Sequence, residues 1–433
     1  RRSSDLISAM MAVDPDNDDP QAILAAMTEA AANVTTAQIT YAARNSDFDG
    51  FAINEGDYLA LCDGKLLGTD RSLDVLLDKL AHVAADKNAE FVTVYSGQGV
   101  TEDDAARAAV ARTLGCKAKE LYFTSCGSES NNLALLGAVQ TRTFGKGIVV
   151  SGFEHPSVQK PLERLAAMGY DVTVVDPGPD GTLDIDRMLD HVDKNTILVA
   201  CMMVNNEIGT RNDVERLAAE VKRRNSRTIV HVDAVQAWMR VPIKLANIDT
   251  LAVSGHKIHA PKGVGALYLS DRLVQAFQPP YLGGEQERGL RPGTENTPYI
   301  VGLGVAAAQG QQKLRPRIAH IAALNRQLRA GLEELDGITL NSPDDAVGEI
   351  VNFSTGCINS QTFINYLNTR AVYVSGGSAC DKGEPSHTLL AMGCADLTVR
   401  TALRVSFCAD NTAEDVDALL AGLRDGLKEL QHI

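Results

Sequence analysis

Residues 228–257 read TIVHVDAVQAWMRVPIKLANIDTLAVSGHK, and this stretch decides the fold class. It contains two apolar runs, at 228–232 and 250–254, which have the length of buried β-strands and are bounded by small and polar residues. Asp233 follows the first run, and Lys257 follows the second in a loop of small residues. Two such strands, separated by a crossover of this length, are typical of a parallel sheet.

The same pattern extends over most of the chain. From about residue 101, apolar strand candidates alternate with helical stretches. The strand candidates are 120–124, 147–151, 171–175, 196–204, 228–232 and 250–254. This alternation predicts an α/β fold with a mostly parallel sheet and helices on both faces. A Gly-rich segment at 282–296 then leads into a long helix and a smaller α+β unit.

The first hundred residues have a different pattern. A helical stretch at 20–33 is followed by an alternating strand at 38–43 and by turn-rich sequence, which predicts a small α+β module. We therefore predict three domains. They are an N-terminal module at 1–103, a large domain at 104–278 and a smaller C-terminal domain at 279–433.

The composition of the chain limits which partners and locations are expected for the protein. The 433 residues carry a formal net charge of -14, and such a surface repels polyphosphate, so we expect no DNA partner. No apolar run approaches the roughly 20 residues that cross a bilayer, so we expect no membrane span. The eight cysteines include no CxxC pair, which favours reduced thiols and a cytoplasmic location. We predict no metal site.

A candidate phosphate-binding turn lies upstream, where residues 123–131 read FTSCGSESN. This is a strand, a turn of small residues and a helix start. The main-chain N–H groups around Gly127, aided by the helix dipole, are suited to binding a phosphate, and Ser128 adds a hydroxyl. The same residues could equally form an ordinary helix N-cap.

Lys257 and Asp233 add chemistry to this turn. A lysine fixed at the end of a strand and partly desolvated suits covalent attachment to an aldehyde. A carboxylate at the end of the neighbouring strand can pair with a protonated pyridine nitrogen. Taken singly, the lysine could face solvent and the aspartate could cap a helix. Together, the phosphate-binding turn, the acid and the lysine on one sheet predict a site for pyridoxal phosphate.

From about residue 106 the chain resembles the class V aminotransferase-fold cysteine desulfurases. The matching blocks, in the family's order, are FTSCGSESNNLAL at 123–135, EHPSVQKPLERL at 154–165, VNNEIG at 204–209, HVDAVQ at 231–236, SGHKIHAPKGVGALYL at 254–269, GGEQERGLRPGTEN at 283–296, SGGSACDKG at 375–383 and ALRVSF at 402–407. The resemblance implies fold type I of the pyridoxal-phosphate enzymes, with a mostly parallel seven-stranded sheet and a smaller C-terminal domain.

The resemblance also implies roles around the cofactor ring. Lys257 would form the covalent bond to pyridoxal phosphate and move protons. Asp233 would pair with the pyridine nitrogen, and Gln236 would bond the ring hydroxyl. His155 would stack on the ring and help to move protons. Asn206 would lie beside the ring hydroxyl and the substrate carboxylate.

Further residues are implied at the two ends of the site. Ser128, Ser254 and His256 would hold the cofactor phosphate. Thr294 would reach that phosphate from the other subunit of a homodimer. Arg404 would clamp the substrate carboxylate, for which a planar guanidinium is well suited.

Cys380 lies in the loop SGGSAC, where the flanking small residues indicate an exposed and reactive thiol. The resemblance implies that L-cysteine is converted to L-alanine and that Cys380 holds the sulfur as a persulfide. An iron–sulfur scaffold or a tRNA-thiolation protein would then accept the sulfur. Selenocysteine lyase activity, or another activity of the class V enzymes, is an alternative. A non-catalytic adaptor is a second alternative, from a different class.

Residues 1 to about 103 resemble the middle region of the bacterial fatty acid kinase large subunit. The matching pieces are ILAAMTEAAANVTTAQITYAARNSDFDG at 23–50, INEGDYLALCDGKLLG at 53–68 and AEFVTVYSGQGVTEDDA at 89–105. They stand where desulfurases open with a strand and turn reading like YLDNAATTP. The chain is therefore predicted to be a fusion, in which turnover could be impaired. No kinase site is implied.

Overall fold

A computed structural model describes residues 13, 19–32, 35–42, 44–48, 50–86, 102–376 and 385–433. The chain divides into two compact units, Arg1–Val100 and Thr101–Ile433. Cys380, the predicted sulfur acceptor, lies outside the described residues.

The first unit is a small α+β structure. Helix α1 (Pro20–Ala32) precedes an antiparallel sheet of order β1-β4-β5, formed by Ala37–Tyr41, Tyr58–Cys62 and Lys65–Asp70. A separate hairpin pairs β2 (Ser46–Phe48) with β3 (Phe51–Ile53), and α2 (Leu73–Asp86) follows β5. Asp63 and Gly64 join β4 to β5 with φ of 50° and 84°, the left-handed pair that favours Asp-Gly in a two-residue hairpin.

The second unit contains the predicted mostly parallel sheet, with seven strands in the order β6-β12-β11-β10-β9-β7-β8. The strands are β6 (Leu121–Thr124), β7 (Gly147–Ser151), β8 (Asp171–Val175), β9 (Thr196–Met202), β10 (Ile229–Asp233), β11 (Thr250–Ser254) and β12 (Gly265–Leu269). Strand β12 runs antiparallel to both of its neighbours. Every residue of β9, β10 and β11 is buried, which is expected of a sheet covered on both faces.

Helices cover this sheet and complete two hydrophobic clusters. They are α3 (Glu102–Leu114), α4 (Gly127–Thr141), α5 (Pro156–Ala167), α6 (Ile185–Asp190), α7 (Val214–Arg224) and α8 (Asp271–Val274). Leu217 of α7 packs in one cluster and Leu162 of α5 in the other. Trp238, the single tryptophan of the chain, is fully buried, and its Nε1 donates a hydrogen bond to Thr113 Oγ1 at 3.0 Å.

The C-terminal part begins with two helices, α9 (Thr297–Gln312) and α10 (Leu314–Glu333), and contains an antiparallel sheet of order β13-β14-β15. Its remaining elements are β13 (Thr339–Leu340), β14 (Ile350–Ser354), α11 (Ser360–Asn368), α12 (His387–Ala391), α13 (Asp396–Arg400), β15 (Ala402–Ser406) and α14 (Ala413–Glu429). Phe353 and Leu403 are at the centre of its core. Across the described residues, no helix combines the length and apolar character that a bilayer span requires.

Candidate active site

Asp233 is the last residue of β10 and lies at the carboxyl edge of the large sheet, where only 4% of its surface is exposed. Its Oδ2 accepts a hydrogen bond from Asn131 Nδ2 at 2.7 Å, and its Oδ1 accepts one from the Val235 main-chain N–H at 2.9 Å. Burial raises the pKa of Asp233, and these hydrogen bonds and the charges of His155 and Lys257 oppose that rise. The carboxyl group is therefore buried, oriented and close to two basic side chains.

Asn131, on α4, orients this carboxyl group and was not among the predicted site residues. Its Oδ1 lies 3.0 Å from His231 Nε2, and His231 Nδ1 lies 2.9 Å from Thr250 Oγ1. Burial lowers the pKa of His231 to about 3, so this imidazole is neutral at pH 7. The position of Asn131 in the block FTSCGSESN was the signal that could have found it.

Lys257 lies in a short 3₁₀-helix, Gly255–Ile258, that follows β11 directly. Beside it, Ser254 Oγ and His256 Nδ1 are 2.9 Å apart. Partial burial lowers the pKa of His256, and the positive charges of Lys257 and His155 lower it further. The predicted lysine, both histidines and Asp233 therefore share one electrostatic neighbourhood.

The predicted phosphate-binding turn is packed against the same strand ends. Helix α4 begins at Gly127, with Cys126 as its N-cap residue. A Cβ atom on Gly127 would lie 2.6 Å from Val235 Cγ2 and 3.3 Å from Ser254 Cβ, so only glycine allows this close approach. Ser128 is exposed in the first turn of the helix, where main-chain N–H groups and the helix dipole favour an anion.

His155 is the N-cap residue of α5, which explains its fixed position. Its Nδ1 accepts a hydrogen bond from the Ser157 main-chain N–H at 3.1 Å and lies 2.8 Å from Ser157 Oγ. Asn131 Nδ2 also donates to Ser157 Oγ, at 2.8 Å. Hydrogen bonds therefore connect His155, Ser157, Asn131 and Asp233 in one network.

Glu154 is a second buried acid that the sequence analysis missed, although it directly precedes His155. Only 3% of its surface is exposed. Its Oε1 accepts hydrogen bonds from the Met202 main-chain N–H, at 2.6 Å, and from the Ser151 hydroxyl. Burial raises the pKa of Glu154 to about 8, the charge of Asp233 raises it further, and the two hydrogen bonds oppose the rise. Glu154 is therefore mainly protonated at pH 7.

Replacing Glu154 with glutamine should flatten the pH dependence of stability. The folded-state pKa lies above its ordinary value of 4.5, so the protonated carboxyl stabilises the fold fully below pH 4.5. That stability declines as the pH rises from 4.5 to about 8, by up to about 5 kcal/mol in total. Denaturant unfolding between pH 5 and 8.5 should show a smaller decline for Glu154→Gln than for the native chain. Glu163→Gln, at an exposed position, is the control. An equal decline in the free energy of unfolding for Glu154→Gln and for the native chain would contradict a raised pKa for Glu154.

Arg404 and Asn206 bring the C-terminal part to the site. Arg404 lies on β15, and its Nη1 donates a hydrogen bond to the main-chain oxygen of Asn206 at 2.9 Å. Asn206 is buried in the turn after β9. The guanidinium group is thus held beside the loop that carries the predicted ring and carboxylate contacts.

Two predicted residues make contacts that the sequence did not suggest. Gln236 is buried, and its Oε1 and main-chain oxygen both accept hydrogen bonds from Arg240 Nη1. Thr294 is exposed. Within the part of the chain that the structure describes, no hydrogen bond joins Thr294 to Ser128, Ser254 or His256.

The segment that carries Cys380 begins beside Arg404. Ser375 pairs with Arg404 in an isolated bridge, with N···O distances of 3.1 Å and 2.6 Å. The described residues resume at Pro385 and continue into α12. The start of the predicted sulfur-accepting segment is therefore next to the predicted carboxylate clamp.

This set of donors fits pyridoxal phosphate. Lys257 provides an amine for the aldehyde, and the oriented carboxyl of Asp233 provides a partner for the pyridine nitrogen. The close-packed turn at Gly127 provides a cradle and N–H donors for the phosphate. Among the described residues, no group of three or more histidine, cysteine or acidic side chains is placed to hold a metal ion.

Comparison with known proteins agrees with this chemistry. The family model described as aminotransferase class-V matches residues 69–419. A second model, which describes the C-terminal region of FakA-like fatty acid kinase proteins, matches residues 4–123 and confirms the resemblance of the first hundred residues.

Individual relatives point to one activity within the class. A cysteine desulfurase of Nostoc sp. is 37% identical, over 80% of this chain and 87% of its own length. The cysteine desulfurase IscS of Vibrio atlanticus is 34% identical, over 78% of this chain and 84% of its own. A solved NifS-like protein superposes with a TM-score of 0.71 at 34% identity, covering 76% of this chain and 88% of that protein. The chain therefore belongs to the class V aminotransferase family and, within it, to the pyridoxal-phosphate-dependent cysteine desulfurases.

Proposed function

We propose that this chain converts L-cysteine to L-alanine by holding the released sulfur as a persulfide on Cys380. The observation that carries the proposal is the convergence of Lys257, Asp233 and His155 at one edge of the sheet. Arg404 and the start of the Cys380 segment are attached to the adjoining Asn206 turn. The contacts of Arg404 with Asn206 and with Ser375, which precedes Cys380 in the chain, support this proposal.

Each residue has a distinct task in this reaction. Bound pyridoxal phosphate supplies an electron sink for negative charge at the substrate α-carbon. Asp233, oriented by two N–H donors, keeps the pyridine nitrogen protonated. Lys257 carries a proton to and from the reacting carbon atoms. Arg404, steadied by the Asn206 carbonyl, holds the substrate carboxylate.

The sulfur step balances without an external oxidant. The Cys380 thiolate attacks the sulfur of L-cysteine, and the substrate C–S bond breaks. The electron pair of that bond stays with carbon, which takes up a proton and leaves as alanine. Cys380 retains the sulfur as a persulfide. The outer sulfur atom then passes to an acceptor protein of the iron–sulfur scaffold or tRNA-thiolation class.

The test uses the full chain purified with pyridoxal phosphate. We expect absorbance from covalently bound cofactor and, after L-cysteine is added, one alanine for each sulfur recovered as sulfide by a thiol reductant. Mass spectrometry of the Cys380 peptide should show the added mass of one sulfur atom. Bound cofactor without alanine would support the adaptor alternative, and faster turnover of L-selenocysteine would support the lyase alternative.

We also propose that the chain forms a homodimer through the segment that contains Thr294. Exposed apolar side chains cluster in sequence around it: Leu282 is 91% exposed, and Tyr281, Tyr299 and Val305 are also exposed. Exposed apolar side chains are suited to burial in a protein interface where they form a contiguous patch. A second copy covering them would also place its Thr294 against the neighbouring site. Light scattering should give twice the chain mass, and a monomer would contradict this assembly.

We also propose that the chain is a fusion of an N-terminal module with a desulfurase part, with domain boundaries near residues 103 and 278. The two family models overlap at residues 69–123, so the junction lies where both patterns meet. To test the fusion, the intact chain should be isolated from cells and then digested. Peptides from both sides of residue 103 in that single chain would establish the fusion.

The free thiols at all seven cysteines of the described residues support a reducing, cytoplasmic location for the protein.

A further inference from the structure

Glu207 directly follows Asn206 and is held on several sides, with only 3% of its surface exposed. Its Oε2 accepts a hydrogen bond from Ser386 Oγ at 2.5 Å, and its Oε1 accepts one from Thr388 Oγ1 at 3.0 Å. Its main-chain N–H donates to Asn205 Oδ1 at 2.8 Å. The carboxyl group has therefore exchanged water for two hydroxyl donors, which a buried acid requires.

The two donors belong to the element that follows the Cys380 segment. Ser386 is the N-cap residue of α12, and its Oγ also accepts from the Leu389 main-chain N–H at 3.1 Å. Thr388 is buried in the first turn of α12 and accepts a further hydrogen bond from Asn205 Nδ2, at 3.3 Å. Glu207 thus fixes the start of α12, which lies six residues beyond Cys380 in the chain.

The other end of the segment is attached to the same turn. Ser375 is bridged to the main chain of Arg404, whose Nη1 binds the carbonyl of Asn206. Two consecutive residues, Asn206 and Glu207, therefore hold the entry and the exit of the segment that contains Cys380. As a general rule, a chain segment whose two ends are held loses less entropy when one of its groups reaches a target near those ends.

We propose that Glu207 is a positioning residue for sulfur transfer, because it holds Ser386 and Thr388, which follow Cys380 in the chain, against the turn that contains Asn206. The proposal rests on Cys380 being the sulfur acceptor. Glu207 contributes to the step in which the thiolate meets the substrate sulfur, rather than to cofactor binding.

The test compares Glu207→Gln and Ser386→Ala, each as full-length holoenzyme, with Glu163→Gln as an exposed control on α5. Both test variants should lower kcat for alanine formation by about 10- to 100-fold, because small misplacements of reacting groups are costly. KM for L-cysteine and the absorbance of bound cofactor should change less than about twofold. The double variant should be no slower than the slower single variant, because both changes break one contact.

Each of the following outcomes would overturn the inference. Unchanged kcat in Glu207→Gln and Ser386→Ala would show that the contact does not position the thiol. Parallel losses of cofactor absorbance and alanine formation would show a general structural role. If Cys380→Ala retains alanine formation, the sulfur-acceptor assignment fails, and this inference fails with it. If Cys380→Ala is inactive while Glu207→Gln is fully active, only the inference about Glu207 fails.

Discussion

Replacing Lys257 with alanine should reduce alanine formation from L-cysteine by at least about 10³-fold, because two functions are lost together. The variant has no amine at the end of β11 for covalent attachment of the cofactor. It also has no group at that place to move a proton to and from the substrate. Alanine formation should be measured at saturating L-cysteine with added pyridoxal phosphate, so that weak cofactor binding does not limit the rate.

The absorbance spectrum separates this result from unfolding. The Lys257→Ala protein should bind pyridoxal phosphate without the band of the covalently attached cofactor, and its unfolding midpoint should stay close to that of the native chain. Lys244→Ala is a suitable control, because Lys244 is exposed and forms a surface ion pair with Glu215. Retention of the covalent band in Lys257→Ala would assign cofactor attachment to another lysine.

Replacing Cys380 with alanine should lower alanine formation by at least about 10²-fold while leaving the cofactor in place. The residues proposed to hold the cofactor lie at the carboxyl edge of the large sheet, so the absorbance of bound cofactor should be unchanged. The loss is expected because the Cys380 thiolate is the nucleophile in the proposed reaction, and the persulfide cannot form without it. Alanine formation and the mass of the peptide spanning residue 380 provide the two measurements.

Cys394 offers a matched control for Cys380. It lies in the same C-terminal part, and burial raises the pKa of its thiol, so little thiolate is present at pH 7. Cys394→Ala should therefore retain nearly full activity. A second cysteine to test is Cys126, the N-cap residue of α4 in the predicted phosphate-binding turn. An active Cys380→Ala protein together with an inactive Cys126→Ala protein would transfer the sulfur-accepting role to Cys126.

The large sheet of the second unit was predictable because its strands are short and apolar, and the central strands β9, β10 and β11 are fully buried. Strands β7, β8 and β11 begin and end at the predicted residues. Strand β12 was missed: five residues between a loop and a short helix give no clear periodicity, and an antiparallel strand is not expected from βα alternation. The parallel strands of the central sheet were therefore easier to predict from the sequence than its one antiparallel strand, β12.

The candidate site was predictable only where a motif carried the chemistry. Asp233 ends β10, and Lys257 lies in the short 3₁₀-helix that directly follows β11. Because β10 and β11 are neighbouring parallel strands, the topology of the sheet accounts for their proximity. Glu154 and Glu207 were missed because their roles depend on partners far away in the chain. Glu154 binds the main chain 48 residues later, and Glu207 binds Ser386 179 residues later. Such pairings are fixed by tertiary packing and leave no local pattern.

The single tryptophan gives the molecule a built-in optical reporter. Trp238 is buried in the second unit beside Thr113, and the first unit contains no tryptophan. Its fluorescence will therefore follow the melting of Thr101–Ile433 alone, whereas far-ultraviolet circular dichroism will follow the helices and strands of both units. Recording both signals on one sample will show whether the two units melt together or one after the other.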